Sequence, residues 1–156
     1  MAEIPANGEN VVMTFLAAAV NRASIAPTPI EDGQYIPGVC NIGPAEIARR
    51  RRVGHIGVIA TIALFAVLVA LDLPPIVRLV LILPAGVAAS GYLQARMRFC
   101  AGFATAGVYN FGDVGPREQV TDRAALAADR AKGFRIYLAS LVIGLAVGIV
   151  AVLLPI

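Results

Sequence analysis

The sequence predicts an all-α integral membrane protein, with three transmembrane helices and helical extensions on the cytoplasmic side. Three observations predict it. Of its 156 residues 58% are hydrophobic and only 15% charged, against roughly 25% charged in soluble domains. The apolar residues are concentrated, with residues 53–71, 79–93 and 136–156 almost free of charge. Finally, when three crossings are drawn, Arg78 alone of the 13 lysines and arginines falls on the far side.

Residues 1–43 are expected to form a cytoplasmic arm ahead of a membrane domain over residues 44–156. Within the arm, Val11–Val20 is a short apolar run. It is too short to span a bilayer, which takes about 20 apolar residues. A secretory signal needs a basic stretch before its apolar core, and here Glu3 and Glu9 stand instead. The run is therefore expected to form an interfacial or partner-docking helix. The turn-rich stretch from Ala26 to Gly33 follows as a linker.

The first helix is expected to start at Pro44, because proline at the first helical position loses no hydrogen bond. Glu46 then meets the positive helix end. It is also positioned to pair with Arg50 one turn on, or with Arg96 or Arg98 of the second span. A helix from Pro44 to Leu71 would run roughly 42 Å at 1.5 Å per residue. The hydrocarbon core is roughly 30 Å thick, so Arg49, Arg50, Arg51 and Arg52 would stand among the headgroups.

The spans are placed at about residues 53–72, 75–95 and 135–155, with a cytoplasmic loop over about 96–134. Pro74 and Pro75 form the first hairpin, where Asp72 and Arg78 share a side and are positioned to pair. Pro84 should bend the second span. In the loop, Phe99, Phe103, Tyr109 and Phe111 recur among glycines and are expected to lie along the membrane surface. Thr121 or Asp122 can cap the last helix. In that helix Ser140, Gly144 and Gly148 recur every four residues, a stripe that lets another helix approach closely. The positive-inside rule makes the N-terminus, the arginine run and the long loop cytoplasmic, and the C-terminus external.

Topology places Cys40, His55 and Cys100 on one face. Thiolates and imidazoles are the usual ligands of zinc, copper or iron, and a Cys/His pair can also make a reactive thiol. These three residues are the candidate thiol, metal or haem site. Arg49–Arg52 are the candidate binders of acidic lipid. Ser140, Gly144 and Gly148 are the candidate helix-packing site. Several classes are excluded. Two cysteines without a CxxC pair make no disulfide framework. A net charge of +3 does not suggest nucleic acid. The spans carry no Asp, Glu, Lys or Arg at mid-depth, where ion and proton pathways need them. No Walker, GxSxG or HExxH motif occurs.

The layout Cys40-Asn-Ile-Gly-Pro-Ala-Glu-Ile with Arg49–Arg52, two spans, then Leu93-Gln-Ala-Arg-Met-Arg-Phe-Cys100, resembles small uncharacterised bacterial three-span membrane proteins. That resemblance implies a bacterial inner membrane setting and carries no activity, cofactor or catalytic residue. The expected function is a non-catalytic structural or accessory subunit of a membrane assembly, or a self-associating membrane protein. Its expected partners are membrane lipids and other membrane subunits or itself.

Overall fold

The computed structural model describes residues 34–155; the apolar run at Val11–Val20 lies outside them. Among the described residues, three helical segments are long and apolar enough to cross a membrane: Pro44–Ala70, Pro75–Arg96 and Arg123–Leu153. The chain is thus a multi-pass membrane protein by length and composition. Its outward faces agree, since Ile56, Ile59, Leu83 and Leu153 are each at least 66% exposed. Contiguous apolar surface of that kind is unfavourable in water and favourable in lipid.

Helix α1 is Pro44–Ala70, with proline in its first turn as expected. It ends in a Schellman motif. Leu73 N–H donates to the Leu68 carbonyl and Asp72 N–H to that of Val69, which satisfies the last carbonyls. Asp72 takes the left-handed position, at φ 49°. The second span is composite: a 3-10 segment at Pro75–Leu81 continues into α2 at Ile82–Arg96. The irregularity expected at Pro84 therefore precedes it. Pro84 sits in the first turn of α2, where its missing N–H costs little. Helix α2 ends in a second Schellman motif, with Phe99 N–H on the Gln94 carbonyl and Arg98 left-handed at φ 49°.

A short helix α3, Ala101–Ala106, and a minimal antiparallel pair, β1 (Val108–Tyr109) with β2 (Glu118–Gln119), fill the connection to α4, Arg123–Leu153. Asp122 caps α4, its carboxylate accepting from Ala125 N–H at 2.8 Å. Two of the four aromatics expected at a membrane surface instead pack inside the protein. Phe99 and Phe103 are buried, and the Tyr109 ring stacks on Tyr35 with centroids 4.6 Å apart. Phe99 and Phe103 form the interior of a small cap, because α3 folds back onto α4 and gives them protein to pack against, while Tyr109 and Phe111 stay partly exposed.

Residues 34–43 belong to that cap rather than to a separate arm. A turn at Ile36–Val39, with Gly38 at φ 66° and Val39 N–H on the Ile36 carbonyl, sets up a strap. Asn41 then ties strap to cap. Its side chain donates to the Cys100 carbonyl at 3.1 Å and accepts from Cys100 N–H at 2.6 Å. Asn110 N–H donates to the Asn41 carbonyl and Gly43 N–H to that of Asn110.

Within the bundle α2 is central, with α1 packed on one flank and α4 on the other. Small residues set both seams. A Cβ on Gly91 would lie 2.5 Å from the Gly54 nitrogen and 2.8 Å from the Arg50 carbonyl oxygen, so α1 and α2 are in backbone contact. On the other flank, a Cβ on Gly144 would lie 2.7 Å from the Ile82 carbonyl oxygen, and one on Gly148 would strike the Ile82 side chain. Ser140, Gly144 and Gly148 are buried. The stripe is a helix-packing surface, and the chain's own second span fills it.

Arg78 also departs from expectation. It is 3% exposed and donates to the carbonyls of Ala151 and Leu154 at 3.1 and 2.9 Å. A cation at the negative end of a helix is favoured there.

Candidate functional site

The structure does not gather Cys40, His55 and Cys100 into one ligand set. Among the described residues no three His, Cys, Asp or Glu side chains stand close enough to share a metal ion. Cys40 is buried and its thiol points to the Ile42 carbonyl at 3.9 Å. His55 lies on an exposed face of α1, its Nδ1 2.7 Å from the Tyr92 hydroxyl. Cys100 lies elsewhere, at the start of α3. Its Sγ accepts from the Arg50 guanidinium at 2.9 Å and from Phe103 N–H at 3.3 Å.

What the fold does assemble is a collar of arginines at the neck between cap and spans. Adjacent helical residues point about 100° apart, so Arg49–Arg52 cannot share one environment. Glu46 organises two of them. It is 1% exposed and stands 3.6 Å from Arg49 and 3.5 Å from Arg50. A carboxylate buried so deeply needs such partners. The alternative pairing with Arg96 or Arg98 is not the one adopted.

Arg49 and Arg50 on one side, and Arg51 on the other, line two clefts on opposite faces of the α1–α2 pair. One, of about 320 Å³, is polar and is lined by Arg49, Arg50, Gln94, Cys100, Arg117 and Tyr137. Arg117 and Arg50 stand over the Phe103 ring, at 4.9 and 5.7 Å from its centroid, within cation–π range. Glu46 offsets one of the three positive charges there. The other cleft, of about 440 Å³, opens between the start of α1 and the end of α2. Its walls are Pro44, Ile47, Ala48, Arg51, Arg96 and Arg98. Arg51 and Arg96 are both exposed.

Arg96 and Arg98 were visible in the sequence as charges but not as cleft walls. Arg117 carried no local signal, because the fold of the cap alone brings it beside Phe103. Asp129 was equally silent. It is fully buried, and accepts from Tyr35 hydroxyl at 2.9 Å and Gly38 N–H at 2.6 Å.

Comparison with protein families, with curated proteins and with solved structures finds no match to this chain.

Proposed function

We propose that the chain is a non-catalytic accessory protein of a bacterial inner membrane whose arginine collar binds the headgroups of acidic lipids. The N-terminus, the cap and the collar face the cytoplasm and the C-terminus lies outside, as the charge bias requires. The observation that carries the reading is the division of the collar into two clefts at the boundary of the apolar helices, with Arg51 and Arg96 exposed on one of them. A basic side chain near an anionic membrane surface contributes about 1 kcal/mol.

The test is lipid enrichment. Purified chain is reconstituted into phosphatidylcholine vesicles containing phosphatidylglycerol, then extracted, and its bound lipid identified. Replacing Arg49, Arg51 and Arg52 by glutamine should reduce retained phosphatidylglycerol by roughly a hundredfold if each contributes about 1 kcal/mol. The arginines of the cap remain to hold orientation, which is checked by protease access. Unchanged lipid selectivity would refute the proposal.

A second reading has its own observation. Cys100 Sγ accepts from both a guanidinium and a backbone N–H beside the polar cleft, which suits a reactive thiol. Folded chain should then be alkylated at Cys100 faster than at Cys40, and Arg50→Gln should slow the reaction. Equal inertness of both thiols would dismiss it.

A further inference from the structure

We infer that the collar holds one particular lipid, with its phosphate between Arg51, Arg96 and Arg98 and one acyl chain in the groove below them. The inference rests on the acidic-lipid reading and narrows it to a single seat.

The groove follows from the arrangement of the spans. Helices α1 and α4 each pack on α2 and share no comparable interface among the described residues. The space between them is apolar. Its nearer section, about 270 Å³, is lined by Val58, Ile62, Ala85, Ala89, Tyr92 and Ile143. Its farther section, about 360 Å³, is lined by Ile62, Phe65, Leu81, Val147, Val150 and Leu154.

Helical spacing connects this groove to one cleft and not to the other. On α1, Arg51, His55, Val58, Ile62 and Phe65 recur at intervals of three and four, so they form one stripe. On the second span, Leu81 at the end of the 3-10 segment and Ala85, Ala89, Tyr92 and Arg96 of α2 do the same. Both stripes begin at an arginine of the cleft that holds Arg51, Arg96 and Arg98. Arg49 and Gln94, in the cleft beside Cys100, point away from these stripes. The His55–Tyr92 pair, at 2.7 Å, marks the change from polar to apolar wall, the depth at which amphipathic rings settle.

The occupant follows from charge and length. Three guanidiniums recognise a phosphate. From Tyr92 to Ala85 the floor of the nearer section runs roughly 10 Å at 1.5 Å per residue, within one leaflet, about 15 Å of a roughly 30 Å core. A phospholipid acyl chain has that reach.

The experiment counts lipid on the full chain by native mass spectrometry, after reconstitution with phosphatidylcholine and phosphatidylglycerol. One phosphatidylglycerol per chain is expected. Arg51→Gln with Arg96→Gln should lower its retention about thirtyfold, two arginines each acting on a headgroup. Ile62→Trp fills the groove from an exposed position and should also displace the lipid. Leu138→Trp, on another exposed face, should not. If the arginine pair matters and Ile62→Trp does not, the collar stands and the single seat falls. If neither matters, both fall. If the wild-type mass is that of a dimer which Ile62→Trp dissociates, the groove belongs to a second copy and the seat is overturned.

Discussion

Tyr35 and Asp129, 94 residues apart, share a hydrogen bond of 2.9 Å that fastens the strap before the first span to the start of the last. Asp129 is fully buried, and its other oxygen takes the Gly38 N–H at 2.6 Å. One carboxylate of α4 therefore closes the cap around the entry to α1. Asp129→Ala leaves both donors without that acceptor. Hydrogen bonds to charged groups contribute roughly 1.5–3 kcal/mol, so residues 34–43 should lose amide protection and become protease-sensitive while the spans stay folded. Undiminished exchange protection in the strap would show that Asp129 does not hold it.

The same contact predicts an alkaline limit. Burial, then the hydrogen bond to Asp129 and its charge, with smaller contributions from Asp122 and Tyr109, raise the Tyr35 phenol above its ordinary 10.0. A group whose folded pKa is raised stabilises the fold fully below its unfolded pKa, and that stability is lost as pH rises through the folded value. The strap should thus be fully held up to about pH 10 and loosen above it. Tyr35→Phe should lack this alkaline component and be slightly less stable at neutral pH. Strap exchange followed against pH in both proteins decides it, and parallel curves would count against the Tyr35 assignment.

The two helix seams predict sensitivity to single methyl groups. Gly91→Ala places a carbon 2.5 Å from the Gly54 nitrogen, and overpacking of that kind costs typically about 1–3 kcal/mol. Gly144→Leu with Gly148→Leu should be worse, because backbone and Ile82 occupy the space. The expected result is lost thermal stability in mild detergent, not a change in oligomeric mass. A stable double variant with altered mass would return the stripe to an intermolecular role.

Asp72 offers the opposite sign. It occupies the left-handed region at φ 49°, where an L residue costs roughly 1–2 kcal/mol relative to its usual conformation. Glycine adopts that region freely. Asp72→Gly should raise the unfolding temperature by a stabilisation of up to about 1 kcal/mol. A lowered midpoint would mean the Asp72 side chain contributes more than its backbone costs.

Several elements were legible because their signals are local. Pro44 marks the start of α1, Pro74 and Pro75 mark the hairpin, and Asp122 caps α4. Glu46 and Arg50 lie one helical turn apart and pair. Other readings failed where the partner lay far along the chain. Arg78 was matched with nearby Asp72, but it binds the end of α4. The Ser140, Gly144 and Gly148 stripe was recognised as a contact surface, but sequence cannot say which helix fills it. Gly54, Gly57 and Gly91 went unnoticed as a seam because they divide between two spans.

The sequence by itself determined the three apolar helices and the one-sided distribution of charge. Those properties depend on residue type and on periods of a few residues. Only the tertiary structure decided that the aromatic loop closes into a cap, that Asp129 holds the strap, and that the arginine turn splits between two clefts. Helical geometry sends neighbouring side chains about 100° apart. What each one meets is then fixed by helices packed from elsewhere in the chain, and for Arg51 that neighbour is the end of α2.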